Sequence, residues 1–293
     1  MWRKNKKIEK DKIKTWFITG ASSGIGYELC KQLLDRGYNV IAVSRRVPDI
    51  QHDNALCLSC DVTDVSSIKN AIEKGILRFG RIDVLSNNAG ISSYKTVEEE
   101  SPEKMRQVME ANFWGSYNTI HALLPHFRQN SNGTIINMSS ECGIIARSYG
   151  AAYCSSKHAL EGLTSTLWLE TQRFCRVLTV ELSHFPGTSL GIGEEKGVSQ
   201  FPEYKKLPWL AINIKNNPNN SIIKAIKYII DEVEKEKIQR RLMLGKDIIP
   251  KINYEIKLLI KDLKLSQKRA KECAKSTKPR NKFINKLFRK GNS

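Results

Sequence analysis

The chain has no run of eighteen apolar residues and no internal repeat. Without such a run, no membrane-spanning helix is expected. Basic residues precede Trp16-Phe17-Ile18, but that triplet is too short for a signal-peptide core, so a cytoplasmic protein is the default expectation. Histidine is scarce, at five residues in 293, and no second C-x-x-C accompanies Cys57-Leu58-Ser59-Cys60. That scarcity argues against a metal site. The Cys57–Cys60 spacing falls on an apolar run and reads as part of a core strand. The seven cysteines (30, 57, 60, 142, 154, 175 and 273) are odd in number and scattered, which suits reduced thiols and not a disulfide framework.

Net charge is nearly absent from the body of the chain. The net charge is +18, yet residues 1–14 hold seven Lys/Arg against two Asp/Glu, and residues 261–293 hold twelve against two. Residues 15–260 carry only +3. A nucleic-acid-binding surface is therefore not expected, and the basic ends read first as solvated tails. In the tail, Lys282, Lys286 and Arg289 interleave with Phe283, Ile284, Leu287 and Phe288, so peripheral contact with a membrane surface stays open as a secondary reading.

What is present alternates. Strand-like runs at 15–19, 39–44, 55–59, 84–87, 134–137 and 177–181 are separated by helical periodicity at 25–36, 65–79, 103–129 (with Pro125 as a kink or boundary) and 151–173. Residues 221–236 read as a helix, 241–244 as a last strand, and 252–275 as a lysine-rich amphipathic helix. This alternation predicts an α/β fold, a doubly wound parallel sheet of the Rossmann type covered on both faces. One domain over 13–250 and a basic helical extension over 251–293 are expected. Residues 183–220 break the pattern, with Phe185, Phe201, Tyr204 and Trp209 in a segment that reads as a lid or binding loop.

Two motifs carry chemistry. In Thr19-Gly20-Ala21-Ser22-Ser23-Gly24-Ile25-Gly26, glycines follow a strand and open a helix. Such a turn lets backbone approach a pyrophosphate, which the helix N-terminus attracts. In Tyr153-Cys154-Ser155-Ser156-Lys157, a phenol and an amine lie one helical turn apart on one face. A nearby ammonium favours the phenolate, so Lys157 is expected to draw Tyr153 below its ordinary value and let it act as an acid–base group.

The glycine spacing is T-G-x-x-x-G-x-G. Together with Asp61-Val62, Asn87-Asn88-Ala89-Gly90, Asn112, Ser139-Ser140 and Tyr153-x-x-x-Lys157 in that order, it resembles the short-chain dehydrogenase/reductase family in its short, single-domain subtype. The resemblance implies that Gly20, Ser22, Ser23, Gly24, Ile25 and Gly26 seat the dinucleotide. It also implies that Asp61 and Val62 border the adenine, and that Asn88, Ala89 and Gly90 line the ribose and nicotinamide side. Asn87 reads equally well as a sheet-stabilising residue. Ser140 would hydrogen-bond the substrate oxygen, Asn112 would hold a water leading to the lysine, and Lys157 would also hold the nicotinamide ribose. The second strand ends in Ser44-Arg45-Arg46. A cation there suits a 2′-phosphate, so NADP(H) is the expected cofactor. One departure stands out: Pro186-Gly187-Thr188 comes about four residues late after the sixth strand, with Thr188 as a candidate cofactor contact.

The expected function is NADP(H)-dependent interconversion of a carbonyl and a secondary alcohol on a small molecule, and the loop aromatics suggest an apolar one. The competing reading is a dinucleotide sensor on the same fold. The displaced Pro186-Gly187 favours the sensor, and the complete Asn112, Ser140, Tyr153 and Lys157 set counts against it. A homo-oligomer, dimer or tetramer, is implied through helices at 103–129 and 151–173.

Overall fold

The computed structural model describes residues 13–185, 199–205 and 220–273. Seven strands form one parallel sheet: β1 (Thr15–Thr19), β2 (Asn39–Ser44), β3 (Ala55–Ser59), β4 (Val84–Asn87), β5 (Thr134–Met138), β6 (Arg176–Leu182) and β7 (Arg241–Leu244). Their order is β3-β2-β1-β4-β5-β6-β7. The chain reverses direction across the sheet between β1 and β4, where Trp16 pairs with Val84. Ligands of such sheets bind beyond the carboxyl ends of the strands at that switch point.

Alternation along each strand divides the core in two. Trp16, Ile18, Val40, Ala42, Val84, Ile136 and Val180 face α1 (Gly24–Asp35) and α6 (Ile222–Glu234). Phe17, Ile41, Val43, Leu85, Ile135 and Val177 face α2 (Val65–Phe79), α4 (Gly115–Gln129) and α5 (Ala151–Thr171). With both faces covered, β1 is buried along its whole length, which is why its sequence is a continuous apolar run and not an alternating one. Local signals set the helix ends. Asp64 accepts a hydrogen bond from the Ser66 amide at the start of α2, and Gly80 closes it with a φ of 80°.

The long helix expected over 103–129 is divided. α3 (Pro102–Met109) passes through a π-helical turn, Glu110–Trp114, into α4. Pro125 lies inside α4 without ending it. The boundary is instead the π turn, a wide turn that functional sites often use to re-aim a side chain; here it carries Asn112, fully buried. Phe185, placed by its sequence in the lid or binding-loop segment, packs in the core with α1 and α6. Trp209 and Pro186-Gly187-Thr188 lie outside the described residues.

The last helix, α7 (Ile248–Glu272), starts earlier than its periodicity implies. Residues 1–252 form one compact unit and 253–293 a second. In the second unit, Lys257, Lys261, Lys264, Lys268 and Lys271 recur at helical spacing. Among the described residues, no helix is long and apolar enough to cross a membrane.

Candidate functional site

A cleft of about 960 Å³ opens at the carboxyl ends of β1–β4. Gly20 and Gly24 both adopt positive φ, 66° and 57°. A Cβ at Gly26 would stand 2.4 Å from the Gly20 carbonyl oxygen, so the turn and the helix can touch only without side chains. α1 begins here with no acidic residue in its first turn and no side-chain hydrogen bond over its N-terminus. Its backbone N–H groups and dipole suit a pyrophosphate.

Ser22, Ser23 and Ile25 line this cleft with Gly20, as do Arg45, Asp61, Val62, Ala89 and Gly90. Asn88 lines it too, but its side-chain amide is committed elsewhere: Nδ2 donates to the carbonyls of Thr19 and Gly20, each at 3.1 Å. Thr19 answers by accepting at Oγ1 from the Asn88 and Ala89 amides, each at 3.0 Å. Asn88 and Thr19 thus clamp the glycine turn onto the end of β4. Asp61 Oδ1 accepts from the Thr63 amide and hydroxyl at 2.9 and 2.8 Å, shaping the turn before α2. Asn87 takes the structural role. Its Nδ2 donates to Asn137 at 2.9 Å and its Oδ1 accepts from Thr119, a buried polar bridge between β4, β5 and α4.

Sequence reasoning missed Lys104 and Arg106, which add two cations from α3 to the wall that holds Arg45 and Arg46. Nothing in the local sequence of α3 distinguishes them from ordinary surface charges. Only the packing of α3 beside the cleft does so.

A second, smaller pocket of about 100 Å³ shares Ile25, Asn88 and Gly90 with the first. Ser140, Tyr153 and Lys157 meet in its wall, with Tyr94, Arg147 and His184 nearby. Ser140 follows β5 and caps a short 3-10 turn, Glu141–Gly143, by accepting from the Cys142 amide. Its hydroxyl donates to the Leu182 carbonyl at 3.3 Å and, beside Tyr153, favours the ionised phenol. On α5, Tyr153 and Lys157 stack one turn apart, with Nζ 5.7 Å from the ring centre. Lys157 Nζ donates to the Met138 carbonyl at 2.8 Å. Asn112 accepts from the Ile91 amide at 2.8 Å and donates to the Ile91 carbonyl and to Ser156 Oγ, each at 2.9 Å. It therefore ties the loop after β4 to α5. A Cβ on Gly90 would fall 3.1 Å from Asn112 Oδ1 and 3.9 Å from Lys157 Nζ, so the missing side chain keeps space between them.

The electrostatics revise one expectation. Tyr153 is not drawn down by its lysine. Burial holds the phenol above its ordinary value, Cys142 and Tyr94 reinforce that, and Ser140 and Arg147 oppose it. Desolvation outweighs Ser140 and Arg147 although the residue as a whole is only half-buried, so the phenol is protonated near neutral pH. Lys157 moves the other way: burial lowers it to about 8, against the pull of Glu161 one turn further along α5. Behind Lys157, one guanidinium serves two buried carboxylates. Arg241 on β7 stands 2.8 Å from Glu161 and pairs closely with Glu181 on β6. Burial and Glu161 push Glu181 up to about 7, with Arg241 pulling against them.

Comparison with known proteins agrees with this geometry. A family model described as short chain dehydrogenase matches residues 14–190. An uncharacterized oxidoreductase of Schizosaccharomyces pombe is 41% identical over 165 residues, 55% of this chain and 56% of that protein. A 3-ketodihydrosphingosine reductase of Bacteroides thetaiotaomicron is 35% identical over 184 residues, 62% of this chain and 67% of that protein. The first of these relatives is thus matched over little more than half its length. A short-chain dehydrogenase structure from Streptomyces avermitilis superposes with a TM-score of 0.81 at 29% identity, covering 90% of this chain and 99% of that one. A seven-stranded parallel sheet, a glycine turn at its switch point and these matches lead to one conclusion: the chain belongs to the short-chain dehydrogenase/reductase family, whose members are oxidoreductases that use a nicotinamide cofactor.

Proposed function

We propose that the protein is an NADP(H)-dependent oxidoreductase interconverting a carbonyl and a secondary alcohol. The observation that carries this reading is the meeting of Ser140, Tyr153 and Lys157 in a pocket continuous with the dinucleotide cleft. The nicotinamide would supply or accept the hydride. The chain's part is to place and protonate the substrate oxygen. Tyr153, protonated near neutral pH, is poised to give its proton to a carbonyl oxygen as negative charge develops there. Ser140 supports the same oxygen by hydrogen bonding. Lys157 contributes its positive charge beside the phenol and toward the ribose, and Asn112 fixes the loop and helix that frame both. The test is NADPH oxidation by the purified protein against mixed ketones and aldehydes. Tight NADPH binding without turnover on that panel would favour the sensor.

Arg45, Arg46, Lys104 and Arg106 in the cleft wall support NADP(H) over NAD(H). Arg45→Ala is expected to weaken NADPH binding by about tenfold or more, the scale of one charged hydrogen bond, while NADH binding barely changes. Equal losses for both cofactors in titration calorimetry would remove Arg45 from 2′-phosphate recognition.

Lys157 gives a pH signature. Its ammonium is present below about 8 and is lost as pH rises through that value. NADPH affinity of the free protein should therefore fall above about pH 8, and Lys157→Met should abolish the break. A flat affinity up to pH 10 in the wild type would deny the lysine a role in holding the cofactor.

Trp114, Tyr117 and Leu169 are exposed on the π turn, α4 and α5, which supports a homo-oligomer built on these helices.

A further inference from the structure

Two cysteines flank the residues proposed for catalysis. Cys142 lies in the 3-10 turn two residues after Ser140, and Cys154 follows Tyr153 in the first turn of α5. Both line the smaller pocket with Tyr153 and Lys157, and both are nearly buried, at 5% and 6% exposure. The turn and the helix pack directly on each other. Each thiol is the largest single influence on the other's ionisation. Other cysteines are placed differently. The Cys57 thiol donates to the Ile50 carbonyl and Cys60 packs in the core facing α2, so the C-x-x-C spacing does not bring its own pair together. Cys30 and Cys175 sit in the two cores.

We propose that Cys142 and Cys154 are a redox-active dithiol that closes to a disulfide on exposure to a hydroperoxide and so disables the adjoining pocket. The effect on turnover rests on the reductase reading above; formation of the disulfide does not.

The environment separates the two sulfurs into attacker and resolver. Its neighbour Cys142 draws Cys154 below the ordinary thiol range, and Arg147 adds positive charge nearby. The same neighbour relation and burial push Cys142 up. A low-lying thiolate next to a resolving thiol is the arrangement that reacts with peroxide. The Cys154 thiolate attacks the distal oxygen of the hydroperoxide. The O–O bond breaks, and the departing alkoxide takes a proton and leaves as an alcohol (water, from hydrogen peroxide). Cys142 then attacks the sulfenic sulfur. The S–S bond forms, and the displaced hydroxide leaves as water with the Cys142 proton. Two thiols are oxidised by two electrons and one hydroperoxide is reduced. The two sulfurs line one pocket on elements that pack together, and the disulfide closes them to about 2.05 Å. That closure pulls the turn bearing Ser140 onto the helix turn bearing Tyr153, and an added dithiol reverses it by exchange.

The experiment is peptide mapping of the full-length protein after hydrogen peroxide, without reduction. Trypsin cuts after Arg128, Arg147 and Lys157, so the disulfide joins peptide 129–147 to peptide 148–157. The expected result is that linked pair, appearing together with a loss of carbonyl-dependent NADPH oxidation that dithiothreitol restores. Cys142→Ser should leave Cys154 as a sulfenic acid that dimedone labels. Cys154→Ser should give no linked peptide and should keep its own untreated activity under peroxide. Oxidation at other cysteines with no 129–147/148–157 link would overturn the proposal. So would reversible inactivation that persists in Cys154→Ser. Because the link is read by mass, it scores even if no substrate is turned over, and failure of the reductase reading stays distinguishable.

Discussion

Replacing Tyr153 by Phe is expected to lower turnover by about 10²- to 10⁴-fold while NADPH still binds within about twofold of the wild type. The substitution removes one oxygen from a side chain whose ring stays in place beside Lys157. It takes away the proposed proton donor and leaves the residues lining the larger cleft as they were. A loss of this size corresponds to about 3–5 kcal/mol of transition-state stabilisation. The direction of reaction sharpens the prediction. With the phenol held protonated by burial, the site as it stands is set for carbonyl reduction. Alcohol oxidation needs the phenolate, so its rate should climb with pH beyond the point where reduction has levelled off. Paired initial-rate profiles from pH 6 to 10 check this. Equal activity of wild type and Tyr153→Phe would sink the acid–base role outright.

Much of this site is legible in the chain because its demands are local. The glycine turn is readable because Gly20 and Gly24 need positive φ and Gly26 lies against backbone, and no other residue type meets those conditions cheaply. Tyr153 and Lys157 share a helix face by spacing alone. The strands are legible because parallel strands buried on both faces are mostly apolar without alternation, as in Trp16-Phe17-Ile18. What escaped depends on distant elements meeting. The cations Lys104 and Arg106 matter only because α3 lies along the cleft. The division of the 103–129 helix is invisible in its periodicity, since a π turn adds one residue without interrupting the helical run. The direction of the Tyr153 shift could not be read either. An i, i+4 lysine argues for lowering, and the desolvation that wins is a property of the assembled pocket. Asn88 shows the same limit. Its position by the cofactor cleft follows from the motif, but its amide holds the glycine turn because β4 ends beside β1.

The buried cluster behind Lys157 carries the other large effect. Arg241→Met removes the one cation shared by Glu161 and Glu181, and it is expected to destabilise the fold by about 3–5 kcal/mol near pH 8. The loss should shrink toward pH 5, because the buried carboxylate pair can then take up a proton that substitutes for the guanidinium. The raised Glu181 carboxyl sets the sign of this linkage in the wild type. Glu181 sits at about 7 in the fold against about 4.3 in an unfolded chain, so the native state holds the extra proton between those values. Stability from this group is therefore greatest at low pH and is lost as pH rises through about 7, by on the order of 3 kcal/mol. Glu181→Gln should flatten that slope and leave a protein more stable than wild type at pH 8 and no different near pH 4. Urea unfolding of the three proteins at pH 5 and pH 8 makes the comparison. A loss in Arg241→Met that is the same at both pH values would assign it to packing instead. The cluster also reaches the site. Glu161 favours the charged form of Lys157, and Arg241 shares that carboxylate. Freed of Arg241, Glu161 should hold the lysine's proton more tightly and move the NADPH-binding break above pH 8, whereas Glu161→Gln should move it below. A structural ion cluster would change stability alone; one coupled to Lys157 moves the break in these opposite directions.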